Sequence, residues 1–391
     1  MAMAALWGWG GASAARAGDR DEAAEALAVD VARDAAESGL DPDVLAEQVA
    51  FQVEVDALLD PLIEKYADTF ATAGFTDDGD AYVVFTGPVP REVDAAIAGH
   101  LRITARGDAL LSETEAAEIN EAVAQAVADV LPDDGELLTL VEPETGEVEI
   151  AITEGRSESR VEVAAVEAYE EAAPDDVSDL AQDAVTVDVD RTLENIDEAA
   201  SGGQLLANRG NSSLRCTSAF TAKQGSNIGV LTAKHCPENL TINSGDNLYN
   251  ASLFTSNSAG DAQWHRSKTG GNAQFRYDWG KYRNVGAHPV LKVGTRVCRF
   301  GAATGTGSGC DTVKYVSACT KYPNLTYTIC DLAMTESTTG SAGGDSGGPW
   351  FYGANAYGIH SGTNVRDGYS RNWFTSSRKA LAAMGLKAVT G

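Results

Sequence analysis

Gly344-Asp345-Ser346-Gly347-Gly348-Pro349-Trp350 decides how the second half of this 391-residue chain is read. A serine between glycines, preceded by an acid and followed by Gly-Pro, suits neither helix nor strand, so its backbone is expected to turn tightly. Such a turn presents the hydroxyl outward and aims its own N–H groups at one point. A serine hydroxyl is a weak nucleophile until a base takes its proton. Upstream, Leu231-Thr232-Ala233-Lys234-His235-Cys236 places an imidazole directly after an apolar run that begins at Ile228. Ser346 is therefore the expected nucleophile and His235 the expected base.

Charge divides the chain. Residues 1–200 hold 48 Asp and Glu against 10 Lys and Arg, a net of −38, and residues 201–391 hold 9 against 19, a net of +10. A swing of that size at one point predicts two separately folded parts with complementary fields. All six cysteines, at 216, 236, 298, 310, 319 and 330, lie in the basic part. An even number confined to one Gly-, Ser- and Asn-rich domain predicts disulfides and an oxidising compartment. No Cys-x-x-Cys is present, so a zinc site is not expected; no other metal and no cofactor is expected either. Residues 1–20 read as a weak or truncated export signal, with a short apolar stretch, Met3 to Trp9, and Ala15-Arg16-Ala17 but no basic start. No run approaches the roughly 18 apolar residues of a membrane span.

Together the two motifs resemble those of the chymotrypsin-like serine peptidases, and the bacterial streptogrisin and α-lytic branch fits best, over residues 201–391. The resemblance implies an all-β double barrel of chymotrypsin type, ending in a helix near Ser377 to Met384. It favours Cys216–Cys236 and Cys298–Cys310, leaving Cys319–Cys330. For the third catalytic residue two aspartates compete, Asp261 in Gly-Asp-Ala-Gln-Trp-His-Arg and Asp278 in Tyr-Asp-Trp-Gly. Asp261 lies 26 residues after His235 and 37 before Cys298, intervals that fit the family better. The backbone N–H groups of Gly344 and Ser346 are the implied oxyanion hole. Asp345 is expected to be buried and to need a cation; the bacterial branch uses an internal arginine, which matches Arg299 in Val297-Cys298-Arg299. Activation would then remove a blocking propeptide rather than insert a new terminus.

The same resemblance puts the floor of the substrate pocket at Gly340 and Ser341 and one wall at His360, Ser361, Gly362 and Thr363. No acid lies on that floor, which argues against Arg or Lys before the cut bond. Gly358-Ile359-His360-Ser361-Gly362 is similar to glutamyl-specific relatives, in which the histidine faces a substrate carboxylate, but Gly343 offers no second side chain. An acidic residue and a medium-to-large apolar one both remain open. His100, His265 and His288 have no catalytic context and are read as structural or surface residues.

Residues 21–200 read as an acidic α+β pro-region. Two helices are expected between Asp21 and Phe51, split at Leu40-Asp-Pro-Asp, and a third from Asp56 to Ala71. Strand Ala81–Phe85, helix Pro90–His100, strand Leu101–Arg106, a helix from the capping box Ser112-Glu-Thr-Glu to Leu131, and a hairpin of Glu136–Val141 with Glu147–Thr153 follow. This β-α-β-α-β-β layer suits covering another surface. One further strand is expected at Ala184–Val189, and processing near residues 195–203. In the basic part Cys216–Ala222, Asn227–Ala233 and Leu248–Thr255 read as strands.

The expectation is thus a secreted, extracellular serine endopeptidase made as a zymogen. Its partners would be polypeptide substrates and its own propeptide, with no nucleic acid or membrane, and the mature form a monomer. Two rival classes remain. A serine esterase of the α/β-hydrolase type needs the order Ser, Asp, His, and only 45 residues follow Ser346. A non-catalytic homologue acting as a binding protein usually lacks a triad member, and here all three positions can be filled.

Overall fold

The computed structural model describes residues 17–132, 135–153, 158–175, 177–189, 194–196, 204–210, 215–242, 248–305, 309–322, 327–336, 341–366 and 369–391. Residues 1–16 of the expected export signal, the Ser201-Gly202-Gly203 junction and Gly340 lie outside them.

The acidic half opens with helices α1 (Ala17–Ser38) and α2 (Pro42–Lys65). Asp41 caps α2 by accepting from the Asp43 N–H, with Pro42 in the first turn. The expected second and third helices are one. Leu45, Val49, Gln52, Val55, Asp56, Leu59 and Ile63 are buried at helical spacing along a single face, and Pro61 stands on the exposed side, where a missing N–H costs least. Residues 70–75, assigned in part to that third helix, instead form strand β1 (Phe70–Phe75).

Strand β1 pairs antiparallel with β2 (Ala81–Thr86), and β2 runs parallel to β3 (Ile103–Ala109) across helix α3 (Arg91–Ile97). The apolar face of α2 closes one side of this sheet in a cluster that includes Val55, Leu59, Phe70, Val83 and Phe85. Helix α4 (Glu113–Val130) starts at the expected capping box, Ser112 with Glu115. The expected hairpin is present as β4 (Leu137–Val141) and β5 (Val148–Ile152). Helix α5 (Glu158–Ala172) then crosses over to β6 (Val185–Val189), parallel to β5. The expected single layer is therefore two, because α2 and α3 cover one sheet while α4 and α5 cover the other.

The basic half is mostly strand, as expected. Its first part forms a five-stranded and a three-stranded sheet among the described residues. Thr221–Gln224 and Asn227–Thr232 make the expected hairpin around Gly225 and Ser226, with Gly225 at a φ of +60°. Cys216–Ala222 is two short strands rather than one, and of Leu248–Thr255 only Leu253–Phe254 is strand. In the second part, six strands close a circuit of ladders: Arg296–Arg299, Pro349–Tyr352, Asn355–Arg366, Tyr369–Ser376, Ile329–Thr335 and Cys310–Lys321, the last pairing back to the first. The C-terminal helix spans Ser377–Ala383 and is capped by Ser376. Disulfides join Cys216 to Cys236, Cys298 to Cys310 and Cys319 to Cys330, the pairing the resemblance implied.

Two seams join the halves. Along α1 and α2, Asp30 pairs with Arg283 at 2.6 Å, Asp34 accepts from Arg296 Nε at 2.7 Å, and Asp56 and Asp60 both accept from Lys292 Nζ at 2.7 Å. The other seam is a sheet, in which β4 continues strand Cys310–Lys321 with Thr139 opposite Cys319. Among the described residues no helix is long and apolar enough to cross a membrane.

Candidate active site

The tight turn at Ser346 is held from both sides. Thr217 donates its N–H to the Ser346 carbonyl at 2.6 Å and its hydroxyl to the Gly344 carbonyl at 3.1 Å. Gly347 donates to the His360 carbonyl at 2.7 Å. Gly344 has a φ of +128°, where a side chain would be strained. A Cβ on Gly347 would lie 2.1 Å from Thr232 Oγ1 and 2.2 Å from the Thr217 carbonyl, so glycine alone fits there.

Three side chains from distant parts of the chain meet at this turn. His235 Nε2 lies 2.9 Å from Ser346 Oγ, and His235 Nδ1 lies 2.6 Å from Asp261 Oδ2. The other Asp261 oxygen accepts the His235 backbone N–H at 3.0 Å, so ring and main chain are fixed by one carboxylate. Asp278 is elsewhere: on a hairpin of Gln274–Asp278 with Lys281–Asn284, bonded to Lys281 at 2.6 Å. Asp261 is fully buried. Burial alone would raise its carboxyl, but the charge and hydrogen bonds of His235, with the Ser361 hydroxyl, outweigh that and hold it below its ordinary value. In the full chain Ser346 is buried and the His235 side chain is 9% exposed.

Asp345 and Arg299 are both buried and meet at 2.8 Å. Thr304 adds its hydroxyl at 2.6 Å, and the N–H groups of Ala303, Thr304 and Ala342 point at the same carboxylate from 3.2 Å. Burial would raise this carboxyl, yet Arg299 and Thr304 hold it below its ordinary value. An anion so supplied pins the turn from behind. Strand Arg296–Arg299 pairs with Pro349–Tyr352, which delivers Arg299 to that spot.

Ser341 and Thr363 touch through their hydroxyls, and Thr363 donates to Asn372 at 3.1 Å. His360 is buried, and its Nδ1 accepts the Trp350 indole N–H at 3.3 Å. Gly362 sits at a bulge between the strands of Asn355–Arg366 and Tyr369–Ser376. His265 and His288 are held largely inside, and burial pushes both down to about 4. His100 meets Glu54 at 2.9 Å on the acidic half.

The sequence reading missed several partners. Ser361, expected as pocket wall, donates to Asp261 Oδ2 at 2.5 Å, and Thr375 accepts the Asp261 N–H at 2.7 Å. Trp350 behind His360 and Thr304 beside Asp345 carry no local signal, because each arrives through sheet pairing or a loop.

No protein-family model matches the chain. Over 218 residues it is 30% identical to streptogrisin-C of Streptomyces griseus, covering 52% of this chain and 46% of that protein. Over 232 residues it is 29% identical to serine protease 1 of Streptomyces fradiae, covering 57% of this chain and 62% of the relative. The chain thus spans about half of the first relative's length and under two thirds of the second's. With glutamyl endopeptidase 2 of Streptomyces griseus it is 30% identical over 178 residues, 44% of this chain and 92% of that protein. Among solved structures, a glutamic-acid-specific serine protease using a histidine triad in substrate binding aligns at 26% identity and a TM-score of 0.41, over 48% of this chain and 98% of its own.

Proposed function

The chain belongs to the chymotrypsin-like serine peptidases of bacteria, and from that premise we propose that it is a secreted serine endopeptidase made as a zymogen, with residues 21–200 as the pro-region of a double-barrel protease. One observation carries the reading: the unbroken line Ser346 Oγ, His235 Nε2, His235 Nδ1, Asp261 Oδ2, with steps of 2.9 and 2.6 Å. His235 takes the Ser346 proton as Oγ attacks a peptide carbonyl, then gives it to the leaving amine. Asp261 keeps Nδ1 protonated and stabilises the imidazolium. The developing oxyanion is received by the N–H groups of Gly344 and Ser346, and losing one such donor costs about 10²–10³ in rate.

The preferred residue before the cut bond is acidic. The indole N–H of Trp350 can only donate, so His360 Nδ1 must be the acceptor and the ring proton belongs on Nε2. The wall assigned to the pocket thus carries an N–H donor at His360 and no acid. Donors without an acid suit a carboxylate. Glutamyl endopeptidase 2, whose name states that preference, supports the same direction.

The test is kinetic. A peptide library should be cut after Glu and Asp; cleavage after Phe or Leu instead would restore the apolar alternative. Labelling of Ser346 by a fluorophosphonate separates an enzyme from a binding homologue. Asp261→Asn should lower kcat by about 10⁴, whereas Asp278→Asn should leave it near wild type; the opposite result would exchange their roles.

A further inference from the structure

Lys234 stands next to the base and takes no part in the proton transfers above. Strand Asn227–Thr232 delivers both residues. The Lys234 ammonium donates to the Thr255 carbonyl at 3.0 Å and to Asn257 Oδ1 at 2.5 Å, and it lies over the Tyr327 ring at 5.7 Å. Thr255 is buried and clasps the segment that carries Asp261. Its N–H donates to the Ala262 carbonyl at 2.9 Å, while its hydroxyl donates to the Gly260 carbonyl at 2.7 Å and accepts the Ala262 N–H at 3.0 Å. Two neighbouring residues thus reach one segment by two routes: Lys234 holds the loop before Asp261, and His235 holds the Asp261 carboxylate. Burial keeps the Lys234 ammonium below its ordinary value, and Asp261 acts against that through space.

We propose that Lys234 is a positioning residue for the base: its ammonium fastens the loop of Asp261, and its charge keeps the His235 ring in the unprotonated form that can accept the Ser346 proton. The inference rests on the peptidase reading above. A positive charge near an imidazole disfavours the imidazolium. Asp261, at 2.6 Å, favours it, and so would the carboxylate of an acidic substrate. Lys234 opposes both from outside the hydrogen-bonded line. Among the described residues the ring is also faced by the Ser346 hydroxyl at 2.9 Å and the Tyr322 ring at 6.5 Å. Behind the turn, Asp345 is answered by Arg299 and His360. The consequence is a base that stays available at lower pH. The same charge makes the imidazolium formed during the reaction less stable, so the advantage is confined to the acid side.

Three substitutions separate the charge from the tie. Lys234→Gln removes the charge and keeps an N–H donor for the loop. Lys234→Arg keeps the charge. Asn257→Ala removes one tie and leaves the ammonium in place.

The experiment titrates His235 by NMR in the full-length Ser346→Ala chain with isotope-labelled histidine, its signal assigned by its loss in His235→Gln. The midpoint should lie about half a pH unit higher in Lys234→Gln, the effect of one partly screened charge, and the difference should shrink in about 1 M salt. Lys234→Arg and Asn257→Ala should leave it unmoved. In chains that retain Ser346, fluorophosphonate labelling of Lys234→Gln should be about threefold slower than wild type on the acid limb and no slower on the alkaline plateau. Labelling of Asn257→Ala should fall about threefold or more, by the same factor at every pH. A midpoint unmoved in Lys234→Gln, or moved equally in Asn257→Ala, overturns the role of the charge, and an undiminished labelling rate in Asn257→Ala overturns the role of the tie. A wild type that does not label at any pH overturns the peptidase reading, while the titration still decides whether Lys234 biases the ring.

Discussion

Helices α1 and α2 hold the basic half by carboxylates, whereas β4 holds it by backbone and apolar side chains. In the first seam Asp30, Asp34, Asp56 and Asp60 reach Arg283, Arg296 and Lys292, and Tyr357 donates to Asp56 at 3.0 Å. Val31, Ala35, Leu45 and Val49 share a core with Phe351 and Tyr357 around them. In the second seam the ladder from Leu137 to Thr139 is joined by Leu138, Leu140 and Ala151, packed with Ala318, Ile329, Leu332 and Trp373. Its polar contacts include Asn120 donating to the Ser317 carbonyl at 2.7 Å, Thr139 donating to Asn120 at 2.6 Å and Thr320 donating to the Leu137 carbonyl at 3.1 Å. The charge asymmetry seen in composition is thus used mostly in the first seam, the second adding Glu113 with Lys379 at 2.9 Å. A buried charge is expensive without its partner, so the first seam demands matched residues on both sides, while the second demands shape and an open strand edge.

The largest effect should come from breaking the charged seam on one side. Lys292→Met in the full-length Ser346→Ala chain leaves Asp56 and Asp60 facing each other without their ammonium. It should lower stability by about 3–5 kcal/mol, read from the denaturant midpoint; a loss under about 1 kcal/mol would show that the ion pairs contribute little. Leu138→Ala probes the other seam by opening a cavity between β4 and the sheet it joins, and about 2–4 kcal/mol is expected from the same measurement. That loss should not change with salt or pH, since no charge is involved.

The smallest effect is the most diagnostic. Burial alone would lower the Lys292 ammonium, but Asp56 and Asp60 outweigh it and hold it above its ordinary value of 10.5. A raised lysine contributes stability that is complete below its unfolded value and is lost as pH climbs through the folded one. The difference between wild type and Lys292→Met, measured by thermal unfolding from pH 7 to 11, should stay flat to about pH 10 and shrink only beyond. Shrinkage beginning near pH 8 would contradict the seam's assignment.

Much of this was legible beforehand, for local reasons. The capping box at Ser112 and Glu115, the Gly225 hairpin and the β4–β5 hairpin each rest on contacts within a few residues, and the structure has them. The errors have equally local causes. The expected break between Phe51 and Asp56 is absent, because the buried stripe of α2 runs through it at Gln52 and Val55. Helix α5 was missed although Val161, Ala165 and Tyr169, all buried, have helical spacing, because its acidic residues mask the stripe.

By itself the sequence determined which residue types the site would draw on. Ser346 in its glycine turn, His235 behind its apolar strand, the cysteines and the split in charge are properties of short segments or of composition, and neighbours along the chain suffice to produce them. Only the tertiary structure brought Asp261 rather than Asp278 to His235, set Thr304 beside Arg299 at Asp345, put Trp350 behind His360, and laid Glu194–Ile196 along the strand of Ser361. Those choices depend on register between segments separated along the chain, and register is set by the packing of whole sheets rather than by any single segment.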